Sequence, residues 1–251
     1  VTTMLVVEVA SLYAGKTKLD ILLVPLGAML LALVGAYVSY PFVWLVSKLG
    51  DLIAIATKAT PFVMGIVISV IMGILLTMPT SSAAIWVSVA SPIITGFAAG
   101  KVSADYYNAM LLAGGAATVG CACHMVGFAV ASFRENGVSG LVSQGLGTSM
   151  LQIPNIMKAP KIVLPEIIAS AICGPLATCV FKLKCGVSGG GMGTSGLVGV
   201  FDLFKYTDMN ALGIIGIILL MFVLPAAISF GVSELMRKKN FIKSGEQKLP
   251  D

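Results

Sequence analysis

Long stretches without any charged residue dominate the chain. Ile21–Ser47 contains 27 such residues, Tyr106–Phe133 contains 28 and Met209–Ser233 contains 25. A transmembrane helix needs about 20 apolar residues, so each stretch predicts a membrane-spanning helix. The stretch Ala59–Gly100, with 42 uncharged residues, is too long for one span and must turn back at least once. The pattern therefore predicts an all-α integral membrane protein.

Prolines and glycines divide these stretches into separate elements. Pro79 should end the helix before it, because proline disfavours helical backbone in the preceding residue. We expect Ala83–Phe97 to be a re-entrant half-helix, with a further full span as the alternative. Tyr106–Phe133 is rich in small residues, which let helices approach closely in lipid, so it should lie at the centre of the bundle. The predicted full spans are Ile21–Val46 with a kink at Pro41, Pro61–Thr77, Tyr106–Phe133, Ile162–Phe181 and Ala211–Ser233.

The segments between the spans differ in polarity. Ser47–Thr60 has apolar positions on one helical face, which indicates an amphipathic interfacial helix or a plain connecting helix. Asn136–Met157 is too polar to face lipid and too apolar for a free loop, which favours a re-entrant segment. Val1–Ala14 is a helix end or an interfacial helix. Phe201–Asn210 is a predicted polar loop, and Glu234–Asp251 is a charged, mobile tail.

A glycine-rich stretch, Gly186–Gly196, contains a short repeat. The sequence GxGTS occurs at Gly145–Ser149 and again at Gly191–Ser195, an offset of 191 − 145 = 46 residues. We call these two stretches the GxGTS segments. They flank the span Ile162–Phe181, so segments entering from opposite sides would meet near the midplane. Such an inverted arrangement of broken helices is typical of transporters. A third Thr-Ser pair follows Pro79.

Composition supports the membrane class and excludes others. Hydrophobic residues make up 57% of the chain and charged residues 11%, whereas a soluble domain averages about 25% charged residues. The net charge of +5 comes from residues scattered in loops and the tail, which argues against nucleic-acid binding. Five cysteines, an odd number in apolar stretches, argue against a disulfide framework. We expect one permease-like domain, residues 1–235, with a cytoplasmic tail, 236–251, and an N-terminal part that is absent here.

Hydroxyl and amide side chains beside irregular backbone are the candidate solute ligands. Glycine-rich backbone within a membrane must be sheltered by protein or wetted by a cavity. The arginines lie only at span ends, so the site suits a neutral polyol better than a dianion. The alternative is that hydroxyls and glycines only mediate helix packing. The candidates are Thr148, Ser149, Gln152, Asn155, Gly191, Gly193, Thr194 and Ser195.

Two titratable residues lie in apolar surroundings. Glu166 is an intramembrane acid, which favours a functional role; alternatively it begins a helix near the interface, where the helix dipole favours an acid. His124 is the only histidine and lies within a span. It is either a hydrogen-bonded packing residue or one that contacts solute or handles a proton. Cys121 and Cys123 point about 200° apart on a helix, so we expect no metal site.

Three runs resemble a known family of bacterial membrane proteins. The chain resembles the perfringolysin-regulator family, which is similar to the IIC permease subunit of the sugar phosphotransferase system. The resemblance implies a helical homodimer with re-entrant hairpins, inverted elements and an amphipathic interfacial helix. It also implies a glutamate and a histidine at the sugar, roles that only Glu166 and His124 could match. The runs that carry it are Gly147–Ile156, Gly174–Thr178 and Gly191–Gly199.

The same resemblance sets the expected function. A IIC permease works with a phosphate-donating IIB domain, and the 18 residues after Ser233 hold none, so we expect separate IIB- and IIA-type partners. We predict a multi-pass permease of the bacterial plasma membrane that moves a small polar solute, a sugar, by alternating access. It would need no cofactor and would not itself be an enzyme. The alternative is a membrane regulator that binds the solute without transporting it.

Basic residues predict the orientation. The tail carries five of them from Arg237 onward, so we expect it to be cytoplasmic. With re-entrant segments, this places the Ser47–Thr60 helix and the Arg134–Lys161 segment on the tail's side. Lys182 and Lys184 would then lie outside.

Overall fold

The computed structural model describes Glu8 and residues 20–249. The predicted helix at Val1–Ala14 therefore lies outside the described residues, Glu8 excepted. The described part is all-α, without strands. It contains ten α-helices, numbered here in chain order: α1 Asp20–Ala59, α2 Pro61–Thr77, α3 Ser82–Ala98, α4 Ala104–Ala131, α5 Phe133–Val142, α6 Ile153–Lys158, α7 Leu164–Pro175, α8 Val198–Tyr206, α9 Ala211–Ile218 and α10 Leu224–Lys238.

Helix α1 is longer than predicted. It has 40 residues and runs through both Pro25 and Pro41, whereas the sequence suggested a span ending at Val46 and a separate interfacial helix. No glycine or proline interrupts residues 42–49, so nothing in the local chemistry ends the helix there. The segment from Ser47 to Ala59 is therefore the last part of α1. The chain forms two compact units, Val1–Leu49 and Gly50–Asp251.

Helices α2 and α3 form a hairpin that turns at Met78–Ser81. Ser81 caps α3, since its Oγ accepts a hydrogen bond from the Ala84 amide at 3.2 Å. The break at Pro79 is present, as predicted. The two arms have 17 residues each, and α3 covers the stretch Ala83–Phe97 that we predicted as a re-entrant element. It returns to the start of α4, where the Phe97 and Tyr107 rings stack with centroids 4.2 Å apart.

Helix α4 is the centre of the larger unit. Its 28 residues contact α2, α3, α7 and α10, and nearly all of its central residues are buried. Gly120 lies directly against the Ser69 backbone of α2, and Gly115 lies against the Leu183 carbonyl. A side chain at either glycine would push a neighbouring segment away. The prediction that small residues place this helix at the centre is confirmed.

The chain between α5 and α7 consists of short helical turns and the short helix α6. A π-helical turn, Ser143–Gly147, and a 3₁₀ turn, Ser149–Gln152, separate α5 from α6. The first GxGTS segment thus lies where one helical turn ends and another begins. This broken geometry leaves backbone carbonyls available to partners outside the segment.

Helix α7 runs antiparallel to α4 and leads into the second GxGTS segment. Among the described residues, three helices are long and apolar enough to cross a membrane: Pro160–Val180, Ala104–Ala131 and Ala211–Lys238. A π-helical turn, Leu176–Val180, extends α7, and beyond it the chain has no α-helix until α8. The prediction of a polar loop at Phe201–Asn210 is wrong in its first half, because α8 continues to Tyr206.

The C-terminal tail folds back onto the protein instead of moving freely. Ile242 and Gln247 are 2% and 0% exposed. Glu135, in the first turn of α5, accepts hydrogen bonds from the amides of Gly245 and Gln247. The prediction of a mobile tail therefore fails for the described residues up to 249.

Ion pairs mark the two ends of α4. Near its first residue, Lys58 pairs with Asp105 at 2.7 Å. Just past its last residue, Arg237 pairs with Glu135 at 2.8 Å. These pairs lie at opposite ends of a helix about 42 Å long, from a rise of about 1.5 Å per residue. Lys58 and the tail therefore lie at opposite ends of α4. This corrects the expectation that the Ser47–Thr60 helix lies on the same side as the Arg134–Lys161 segment.

Candidate solute site

The two GxGTS segments meet in the structure. Thr194 Oγ1 donates a hydrogen bond to the Gly145 carbonyl at 2.6 Å. Ser195 Oγ donates to the Gly147 carbonyl at 3.0 Å. The hydroxyls of the second segment thus satisfy carbonyls that the broken helix of the first leaves free.

A buried carboxylate fixes the approach to the second GxGTS segment. Asp202 Oδ2 accepts hydrogen bonds from the amides of Gly186 and Gly189, each at 2.9 Å, and from Cys185 Sγ at 3.2 Å. Hydrogen bonds to a charged acceptor are stronger than neutral ones. Sequence reasoning missed Asp202. Its only signal was one carboxylate within the apolar run Val198–Phe204.

Two glycines bring the second segment close to its neighbours. Gly193 has φ +56°, and a Cβ there would lie 2.8 Å from the Ala122 amide nitrogen of α4. A Cβ on Gly191 would lie 2.5 Å from the Ser82 carbonyl oxygen. Ser82 Oγ in turn donates to the Gly191 carbonyl at 2.7 Å. The third Thr-Ser stretch, at the tip of the α2–α3 hairpin, therefore contacts the second GxGTS segment.

A cavity of about 520 Å³ lies where these three stretches converge. Its volume is within the usual range of about 300–1,000 Å³ for small-molecule sites. None of its lining residues is charged. They are Leu76, Pro79, Thr80, Ser81, Ser82, Ala83, Thr148, Met150, Ile153 and Met192.

The hydroxyls of this cavity keep hydrogen-bonding capacity for a ligand. Ser81 and Thr148 each accept from a backbone amide, so their O–H groups are free to donate. Thr80 and Ser82 each donate to a carbonyl, so their oxygen lone pairs are free to accept. The wall therefore offers both donors and acceptors without net charge.

Three buried side chains, joined by hydrogen bonds, lie next to the residues that line the cavity. Ser149 Oγ is 3.0 Å from Thr77 Oγ1, which is 2.9 Å from His124 Nδ1. All three side chains are buried. Thr77 and Ser149 are sequence neighbours of the lining residues Leu76 and Thr148. His124 thus reaches the cavity wall through two hydroxyls and does not line the cavity itself.

Two predicted ligands have other partners. Gln152 Nε2 donates to Gln144 Oε1 at 2.9 Å and to the Gln247 carbonyl at 3.0 Å. Asn155 Nδ2 donates to the Lys248 carbonyl at 2.9 Å. Both side chains hold the C-terminal tail, and the structure does not bring them to the cavity.

Glu166 lies apart from the cavity. It is fully buried in the first turn of α7, beside Gly127 of α4 and Ser229 of α10. Both of its carboxylate oxygens lack a hydrogen-bond partner within the described chain, as does His124 Nε2. The described residues contain no cluster of three or more His, Cys, Asp or Glu side chains able to hold a metal.

A second cavity has a different character. It measures about 570 Å³ and lies at the end of α4 where Lys58 pairs with Asp105. Lys182 and Lys184 also line it. None of the residues predicted for the solute site belongs to it, and its charge contrasts with the neutral wall between the GxGTS segments.

Broken helices around a neutral cavity, inside a bundle long enough to cross a membrane, define a permease-type membrane protein. Comparison with known families agrees with this class. The sequence model of the family described as Phosphotransferase system, EIIC matches residues 1–249, so the chain belongs to this family. A permease-type role in that system follows for the chain. Searches of curated proteins and of solved structures found no match.

Proposed function

We propose that this protein carries a neutral, hydroxyl-bearing solute, a sugar or sugar alcohol, across the bacterial plasma membrane. The observation that carries the proposal is the convergence of three hydroxyl-bearing stretches on one uncharged cavity. A neutral polyol both donates and accepts hydrogen bonds, which matches the free capacity of Ser81, Thr148, Thr80 and Ser82. A phosphorylated solute would call for arginine or lysine at the wall.

Alternating access fits the way the cavity is built. One wall is the tip of the α2–α3 hairpin, and the other consists of the GxGTS segments, tied together through Gly145 and Gly147. Relative movement of these two walls would open the cavity to one side or the other. Irregular backbone at such a site is typical of proteins that work in this way.

Family membership supports a proposal about the assembly. We propose a multi-pass homodimer in which residues 1–235 form the permease domain and 236–251 the tail. Phosphorylation of the solute would then be the task of separate IIB- and IIA-type proteins, and this chain would supply only binding and translocation. The narrower resemblance to perfringolysin regulators favours the alternative role, a sensor that binds the same solute in the same cavity.

Uptake into proteoliposomes tests the proposal. The purified protein is reconstituted, and a panel of radiolabelled neutral hexoses and hexitols is screened for binding and for accumulation. We expect at least one to bind and to enter the vesicles. Binding without accumulation, also in the presence of phosphotransferase partners, would favour the sensor. No binding by any member of the panel would contradict the neutral-polyol site.

A matched pair of variants locates the site. Thr148→Val removes a hydroxyl that faces the cavity but keeps the shape of the side chain. We expect solute affinity to fall about tenfold, the loss of one useful hydrogen bond. Thr95→Val is the control, because Thr95 donates to the Ser91 carbonyl within α3 at 2.6 Å and does not line the cavity. Equal affinities for the two variants would place the site elsewhere.

Replacing Gly193 with valine tests the second wall. The added side chain would collide with the α4 backbone at Ala122 and displace the GxGTS segment. We expect solute binding to be abolished. A folded variant with unchanged affinity would show that the glycine-rich stretch serves only packing.

A further inference from the structure

Four buried oxygen atoms between α7 and α10 have no hydrogen-bond partner in the described chain. They are both carboxylate oxygens of Glu166 and the hydroxyl oxygens of Ser229 and Ser233. The three residues are 0%, 0% and 1% exposed. Buried polar atoms are normally hydrogen-bonded, and leaving them unpaired costs free energy. A group of four such atoms therefore points to a bound species.

Two of these residues pack against the same point of α4. A Cβ on Gly127 would lie 2.6 Å from Ser229 Oγ and 2.9 Å from Glu166 Cγ, so only glycine fits beside these two side chains. Ser233 follows one helical turn after Ser229 on the same face of α10. Helices α4 and α7 thus meet α10 at Gly127, and Ser233 lies one turn further along α10.

No described basic side chain neutralises Glu166. Arg237 is held by Glu135 at 2.8 Å, and Lys161 pairs with Glu246 at 3.2 Å. His124 binds Thr77 through Nδ1 and turns Nε2 towards Gly73 of α2. A carboxylate buried in a membrane protein without a counter-charge is costly. An ionised Glu166 would therefore need a positive charge that the described residues do not supply.

We propose that Glu166, Ser229 and Ser233 bind a sodium ion. Oxygen-only ligands suit a hard cation, and a single carboxylate balances a single positive charge. A proton would occupy one carboxylate oxygen and leave most of the others without a partner. Calcium carries two positive charges, one more than the single carboxylate balances.

This site goes beyond the proposed function, because it is separate from the solute cavity. It would join α7 to α10 across the central helix and make the stability of the bundle depend on sodium. Its test needs no solute, so failure of the sodium site and failure of the solute site are distinguishable.

Binding of radioactive ²²Na⁺ to the purified full chain tests the proposal directly. Thermal unfolding in NaCl, compared with choline chloride at equal ionic strength, tests the linked stability. We expect saturable ²²Na⁺ binding and a higher Tm in NaCl. Glu166→Gln should bind no ²²Na⁺ and show a Tm that does not depend on sodium. Ser229→Ala should bind about tenfold more weakly.

Glu234→Gln is the matched control. That residue follows Ser233 in the chain, but its carboxylate pairs with Arg134 at 3.1 Å, so ²²Na⁺ affinity should stay unchanged. If Glu166→Gln does not fold, Ser229→Ala decides, and wild-type affinity in that variant would overturn the site. Absence of saturable binding to the wild type would also overturn it. A Tm that rises on acidification but ignores sodium would assign the cluster to a proton instead.

Discussion

Gly193→Ala tests whether backbone geometry at the second GxGTS segment limits stability. Two separate costs apply at this position. Its φ of +56° lies in the left-handed region, which costs a residue with a Cβ roughly 1–2 kcal/mol. The new Cβ would also lie 2.8 Å from three atoms of Cys121 and Ala122 in α4, two of them backbone.

The second cost is the larger. Helix α4 is packed on all sides, so its backbone cannot move away as a flexible side chain would. Forcing extra atoms into a packed interior costs roughly 1–3 kcal/mol. The sum is roughly 2–5 kcal/mol. For a chain of this size each kcal/mol shifts Tm by about 2–4 °C, so we expect a loss of roughly 4–20 °C.

Two other glycines separate the contributions. Gly196→Ala carries only the backbone cost, because φ is +52° but the nearest atom to a Cβ there is 3.9 Å away. Gly147→Ala carries neither, because nothing lies within 4 Å and φ is not positive. Tm is measured for each variant in the same detergent. Equal losses for Gly193→Ala and Gly196→Ala would refute the claim that close approach to α4 matters.

Three further predictions follow from the contacts. Asp202→Ala should leave two buried glycine amides unpaired and lower the free energy of unfolding by about 2–4 kcal/mol, and Asp202→Asn should lower it less. Hydrogen exchange at those two amides should become faster in Asp202→Ala, and an unchanged exchange rate would contradict the prediction. Truncation after Lys239 removes the docked tail and should make α5 and α6 easier to cleave in limited proteolysis. A cleavage rate equal to that of the full chain would show that the tail does not stabilise these helices. Single cysteines at Lys182 and Lys248 should be labelled from opposite faces, with Lys248 on the cytoplasmic side, and labelling from one face would contradict the orientation.

The gross architecture could be predicted because membranes impose strong constraints on sequence. A span needs a long uncharged run, and Tyr106–Phe133 shows this pattern clearly. The meeting of the GxGTS segments was also predictable, since the repeat flanks one span. Glycine-rich backbone must find sheltered partners there, and the hydrogen bonds from Thr194 and Ser195 supply them.

Side-chain partners distant in sequence could not be predicted. Gln152 and Asn155 were reasonable solute ligands by composition, but amide groups bind backbone carbonyls equally well. Their partners, Gln247 and Lys248, lie more than 90 residues later. The continuation of α1 past Val46 was missed because charges at its end suggested an interface. Thr77 was missed because one threonine at the end of an apolar span resembles ordinary packing.

The docked tail has a consequence for the order of biosynthesis. Glu135 and Asn136 receive their partners only when residues 245–249 have been made, more than 100 residues later. At a translation rate of about 5–20 residues per second, these side chains remain without those partners for roughly 5–20 s in the nascent chain. The protein thus gains this structural restraint only after residue 249 has been made, and a chain terminated before residue 245 would display unpaired polar groups to the quality-control proteases of the membrane.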